Sequence, residues 1–142
     1  MKKVRFLALG LALVLALALT GCKGSKPLPE GMDLEKTGEA GRQLATMLTE
    51  GDYQGVLDKF DPDMLSQYQI TADDLGELMA STEECGAFKE ITDTVCVGTE
   101  AKEFEGTFAS VTVYCEHEDG DVIYVFSLDT DLSLLGLQLK TK

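Results

Sequence analysis

The stretch TFASVTVYCEHEDGDVIYVFSL, residues 107–128, decides the fold. Its first half puts Val111, Val113 and Cys115 on one side of an extended chain and Thr112 and Tyr114 on the other. Its second half repeats the alternation through Tyr124, Phe126 and Leu128. Between them, Glu118-Asp119-Gly120-Asp121 carries Asp-Gly, a strong short-range signal for a two-residue hairpin. That turn would set Cys115 opposite Tyr124, Val113 opposite Phe126 and Val111 opposite Leu128. Each pair is apolar or aromatic, as one buried sheet face requires.

Working outward, Val, Thr, Ile, Tyr and Phe dominate everything after Gly86, and alternation predicts strands at about 88–99, 107–116, 121–128 and 134–140. Before Gly86 the spacing is helical. Leu34, Thr37, Gly41, Leu44, Ala45 and Leu48 recur at threes and fours, with Asp33 as N-cap and Gly51 as stop. Asp52 opens a second helix carrying Val56, Leu57 and Phe60, expected to end near Asp61-Pro62. Thr71-Ala72-Asp73-Asp74 is a capping-box variant that opens a third, with Leu75, Leu78 and Met79 inward and its end at Cys85-Gly86. The expectation is an α+β domain over residues 33–142: three N-terminal helices packed on a curved four-stranded antiparallel sheet.

The N-terminus has a different grammar. Lys2, Lys3 and Arg5 precede an uncharged Leu/Ala/Val run from Phe6 to Thr20, which has the form of an export signal. That run is shorter than the ~20 residues a membrane-spanning helix needs. It ends in Leu19-Thr20-Gly21-Cys22, which resembles the lipobox of bacterial lipoproteins. The resemblance implies that residues 1–21 are removed and that the Cys22 thiol is lipidated. It also implies that the chain is held at the cell membrane on its extracytoplasmic face. Residues 22–32, rich in Gly, Ser and Pro, read as a tether.

Charge and cysteines narrow the partners. All 25 acidic residues but only nine of the twelve Lys and Arg follow Gly21, so the exported part carries a net charge of 9 − 25 = −16. Such a surface repels phosphate backbones, which excludes nucleic acid. Cys85, Cys96 and Cys115 are an odd number and cannot all pair within the chain. If Val95 faces Cys115 and Val97 faces Val113, Cys96 points away beside Tyr114. A Cys96–Cys115 bond is then not expected, and Cys85 stays open as a partner.

Further motifs carry a second resemblance. They are Glu50-Gly51-Asp52-Tyr53, Phe60-Asp61-Pro62-Asp63-Met64-Leu65, Cys85-Gly86-Ala87-Phe88-Lys89-Glu90-Ile91 and Leu135-Gly136-Leu137. Over roughly Leu34 to Leu139 the chain resembles an uncharacterised family of exported bacterial domains, a domain of unknown function. That family is assigned to the cone-shaped fold of nuclear transport factor 2 and ketosteroid isomerase. The resemblance implies the fold and carries no catalytic residue across. The chain departs from the family in its final turn, Asp129-Thr130-Asp131-Leu132-Ser133, where an Asp-Gly-Lys-like turn is usual.

In such a cone the pocket-lining candidates are Val111, Val113, Cys115, Tyr124 and Phe126, with a filled core as the bland alternative. Cys115 and His117 share a strand face and would suit an activated thiolate or two zinc ligands. No C-x-x-C or H-x-x-x-H spacing supports zinc, no G-x-S-x-G elbow supports serine hydrolysis through His117, and a buried cysteine beside a solvated turn histidine is the favoured reading. Capping and turns account for Asp61, Asp63, Asp73, Asp119 and Asp121. The acidic run Glu116, Glu118, Asp119 and Asp121 lacks a calcium-loop pattern. No catalytic residue, metal or cofactor is therefore assigned. The expected function is a non-catalytic module that binds a small hydrophobic ligand, an envelope protein or, as a homodimer through the outer sheet face, its own copy. The alternative is a small cavity enzyme, an isomerase or hydrolase, using Cys115, His117 and Tyr124.

Overall fold

A computed structural model describes residues 28–100 and 107–142. Helix α1, Leu34–Glu50, forms where the sequence places it. The Asp33 carboxylate accepts the Lys36 amide at 2.9 Å, and Gly51, with φ 78°, closes the helix in the left-handed region. Its inner face is Thr37, Gly38, Gly41, Leu44, Ala45 and Leu48, whereas Leu34 is 63% exposed and not part of the core. The Thr37 hydroxyl, buried among apolar neighbours, donates back to the Asp33 carbonyl at 2.6 Å.

Three short helices follow, and one was not expected. Helix α2, Tyr53–Lys59, is capped by Asp52, and α4, Ala72–Ala80, by the Thr71/Asp74 capping box. Between them, α3 spans Pro62–Tyr68, so among the described residues there are four α-helices rather than three. Asp61-Pro62 both ends α2 and starts α3. The Asp61 carboxylate accepts the amides of Asp63 and Met64, and Pro62 sits where a helix needs no N–H. Helix α4 stops at Ala80, and a 3₁₀ turn over Glu83–Cys85 completes the segment that was expected to be helical to Cys85.

The four strands are β1 Phe88–Glu100, β2 Thr107–His117, β3 Gly120–Leu128 and β4 Leu134–Thr141. They form one antiparallel sheet in sequence order, with the helices packed against one face. The expected β2–β3 pairs are displaced by two residues: Val113 lies opposite Tyr124, Cys115 opposite Val122 and Val111 opposite Phe126. An even displacement keeps every side chain on its expected face. The cause lies at the tip. An Asp-Gly primed turn needs positive φ at both central residues. Neither Asp119 nor Gly120 has it, and Gly120 already pairs with His117. Instead the turn Glu118-Asp119 is held from outside. The Glu118 amide donates to the Ala87 carbonyl at 2.9 Å and the Asp119 amide to the Cys85 carbonyl at 2.7 Å. Gly86, at φ 77°, permits this docking. A Cβ there would lie 3.0 Å from Glu118 Cβ and from an Asp119 carboxylate oxygen.

In β1 the expected faces are reversed. Cys96 pairs with Val111 and Thr94 with Val113, while Val95 and Val97 pair with Thr112 and Ser110 on the outer face. Register shifts lie between Phe88 and Glu90 and between Ile91 and Asp93. The reason is steric, because α1 crosses β1 closely. A Cβ built on Gly38 would lie 3.5 Å from Cys96 Sγ and 3.7 Å from Thr94 Cγ2, leaving room only for small side chains beneath the helix.

The tightest contact lies one turn further along α1. A Cβ on Gly41 would stand 2.4 Å from Val111 Cγ1 and 3.2 Å from Val111 Cβ, so the helix backbone rests directly on β2. Val111 has little freedom to move aside, since its branched side chain is stiff and fully buried. Packing also reaches N-terminal to Asp33: Leu28 and Met32 lie against the core and Pro29 is buried. At the far end Phe60 bridges to Leu134, and the Asp61 amide donates to the Leu134 carbonyl at 2.9 Å.

Gly41→Ala should destabilise the domain by about 1–3 kcal/mol despite the better helix propensity of alanine. Adding Val111→Ala should recover part of that loss, giving a positive coupling in a double-mutant cycle of urea unfolding. A stable Gly41→Ala variant with no coupling to Val111 would show that the helix does not rest there.

Candidate functional site

The structure brings all five expected pocket residues together. Val111, Val113, Cys115, Tyr124 and Phe126 share the helix-facing side of β2 and β3, and each is at most 1% exposed. They meet one another and the helices. Val111 and Val113 lie under Gly41, and the Tyr124 and Phe126 rings stack 6.0 Å apart at 4°. Among the described residues the Tyr124 hydroxyl donates to the Met79 thioether, at 3.9 Å.

This burial sets the ionisation of the groups the sequence singled out. Desolvation by burial pushes the Cys115 thiol from 9.0 up to about 12. The Tyr124 phenol is raised as well, first by burial and then by the neighbouring Cys115, Tyr53 and Cys85. Cys85 and Cys96 are raised too, chiefly by burial. A nucleophilic cysteine needs the opposite environment, an electropositive one that water can reach.

His117 is not the solvated turn residue the sequence suggests. It is 5% exposed, with its ring edge-on to Phe88 at 5.7 Å and 76°. Its Nδ1 lies 3.0 Å from the Gly86 carbonyl, which can only accept, so Nδ1 carries the proton. Nε2 has no hydrogen-bond partner among the described residues. The side chain thus clasps the hairpin tip to the Gly86 segment, as the Glu118 carboxylate does by accepting the Ala87 amide at 3.0 Å. The signal for this lay in the spacing of hairpin tip and Gly86 in three dimensions, which one sequence does not display.

Cys85, Cys96 and Cys115 are all free. Cys96 and Cys115 do share the helix-facing side, contrary to the expected register. Cys96 stands opposite Val111, however, four residues along β2 from Cys115. At ~3.3 Å per residue that is roughly 13 Å, beyond the reach of a disulfide. Among the described residues no group of three or more His, Cys, Asp or Glu is placed to hold a metal, and no helix is long and apolar enough to cross a membrane. Cys22 and the residues before it lie outside the described residues.

The sequence reading missed a depression of about 200 Å³ lined by Thr92, Asp93, Tyr114, Cys115, Asp121, Ile123 and Lys142. Asp93, Tyr114 and Ile123 form one cross-strand row on the side of the sheet away from the helices. The depression adjoins the register shift between Ile91 and Asp93, which alternation alone does not reveal. A broader, more open groove along α1 is bounded by Asp33, Glu35, Lys36, Glu39, Ala40, Gln43 and Leu132. Its rim is mostly exposed polar and charged side chains of one helix face.

Comparison with known proteins adds a family and a fold. Residues 42–137 match the family described as "Protein of unknown function (DUF3887)". No curated protein matches the chain. The NMR structure of a protein from Ruminococcus gnavus ATCC 29149 is similar, with a TM-score of 0.66 and 24% identity. The similarity covers 80% of this chain and 96% of that one, and at this identity it concerns the fold.

The raised Cys115 thiol makes a testable alkaline signature. In the unfolded chain it ionises near 9, while the folded domain holds the proton to about 12. Its stabilising contribution is therefore intact below pH 9 and is lost as pH rises from there. Unfolding free energy should fall by up to about 1.4 kcal/mol per pH unit on this account above pH 9. Cys115→Ala should flatten that slope in urea melts at pH 8, 9.5 and 10.5. An unchanged slope would place the thiol in contact with water.

Proposed function

The chain belongs to the family of proteins of unknown function DUF3887, and we propose that it is a lipid-anchored extracytoplasmic lipoprotein whose α+β domain is a non-catalytic binding or interaction module. The observation that carries the anchor is Leu19-Thr20-Gly21-Cys22 at the end of an uncharged run behind three basic residues. Two or more acyl chains give firm attachment where one gives marginal binding, so lipidation at Cys22 would fix the domain at the membrane. A net charge of −16 beyond Gly21, nine basic against 25 acidic residues, would keep the domain off an anionic lipid surface at the end of its tether.

The domain is read as a cone of the nuclear transport factor 2 class with its interior filled by its own side chains. That favours binding over chemistry. Cys115, His117 and Tyr124, the groups a cavity enzyme would use, are all buried, and Cys115 is held in its neutral form. Recognition by this module is then a property of its surface, whether the bound species is a small molecule, an envelope protein or a second copy.

Expression of wild type and Cys22→Ala in a lipoprotein-processing bacterium tests the anchor. Wild type should fractionate with membranes and give a mature N-terminal peptide carrying diacylglycerol on Cys22. Cys22→Ala should accumulate as the longer, unlipidated precursor. A wild-type chain that is cleaved normally and carries no lipid would overturn the reading.

A further inference from the structure

The outer-face depression has a composition of its own. Its apolar part is Ile123, 4% exposed although it faces away from the helices, beside the ring of Tyr114. Around this lie Asp93, Asp121 and Lys142, the last two paired through their backbones. The ladder places Glu116 beside Asp121, and Glu90 beside Glu116, so that carboxylates outnumber amines at this end of the sheet. Asp93 accepts one backbone amide, that of Thr94 at 2.8 Å. Among the described residues no ion pair joins any of these carboxylates to a lysine. Tyr114 senses its acidic neighbour, since its phenol is raised first by burial and then by the Asp93 carboxylate.

Each element restricts what can sit there. An apolar floor with a few convergent polar groups is the general pattern of small-molecule sites, and about 200 Å³ restricts the ligand to a compact one. An aromatic face beside carboxylates attracts a cation through both the ring quadrupole and charge. An anion would meet two carboxylates with one lysine to offset them, inside the field of a domain of net charge −16. We propose that the depression formed by Asp93, Tyr114, Asp121 and Ile123 binds a small organic ammonium ion, with the ammonium against Tyr114 and Asp93 and the carbon skeleton over Ile123.

This deepens the binding reading given above and rests on it, while remaining independent of the anchor. A ligand captured here would lie on the open side of the sheet, away from the filled core. Such a site needs no conformational opening, because nothing in the helical layer has to move.

The test uses the full chain in detergent micelles with ¹³C-labelled isoleucine δ1 methyls. The chain has three isoleucines, Ile70, Ile91 and Ile123, so the spectrum is self-assigning by single substitutions. Choline chloride and putrescine dihydrochloride are titrated separately against sodium chloride of equal ionic strength. At least one of the two should move the Ile123 signal along a saturating curve while Ile70 stays in place. Asp93→Asn and Tyr114→Leu should each weaken that curve at least fivefold, with Ile70 unmoved as the check that the variants are folded. The proposal is overturned if neither ammonium compound gives a saturable Ile123 shift beyond the salt control, or if both variants titrate like wild type. The same titration on Cys22→Ala separates the two readings: a lost anchor leaves the Ile123 response intact, and a lost response leaves the anchor untouched.

Discussion

The domain is organised around the seating of α1 on β2 through Gly41. With no side chain at that position, the helix backbone comes down onto Val111, and a methyl group there would overlap Val111 Cγ1. Everything beneath the helix then has to be small or displaced sideways. Gly38 lies over Cys96 and Thr94, which puts the larger Val95 and Val97 on the far side of β1. Farther along, Leu44, Ala45 and Leu48 fill the space above the sheet together with Val56, Leu75, Tyr124 and Phe126. Close approach and large stacked aromatics leave the interior solid. The five residues that sequence reading offered as a pocket lining are each at most 1% exposed, and close-packed protein interiors hold few voids.

Local chemistry was legible in the sequence, and non-local chemistry was not. Asp33, Gly51, Asp52 and the Thr71/Asp74 box each act where they were read, because a cap involves residues three or four apart. The strands were found to within a residue or two, because alternation is also local. Asp61-Pro62 was misread because the same dipeptide ends one helix and starts another. The hairpin register was set by carbonyls of Cys85 and Ala87, thirty and more residues away from the turn they hold. The β1 faces were set by α1 pressing from above, whereas its own valines pointed to the wrong side. His117 follows the same rule: its burial comes from Phe88 and Gly86, neither of which is its neighbour in the chain.

For function, the consequence is a division of labour between faces. The helix-facing side of the sheet forms the core, and burial there raises the Cys115 thiol and the Tyr124 phenol. The opposite side carries the polar and charged variety: Asp93, Tyr114, Thr112, Ser110 and Lys140 alternate there with Val95, Val97, Ile123 and Val125. A register shift in β1 turns part of that side into a depression instead of a flat ladder. Candidate residues chosen for their reactivity are buried, and apart from Cys115 the depression is lined by residues that read as ordinary strand exterior or chain end.

The most direct measurement is the nuclear Overhauser contact between the Gly41 α protons and the methyls of Val111 and Val113, in a sample labelled at valine methyls. A helix resting on the sheet should give strong cross-peaks from Gly41 to both residues, with Val111 the stronger. Weak or missing cross-peaks in a folded domain would mean that α1 stands off from β2. The interior would then be open enough to admit a ligand, contradicting the account of a solid core.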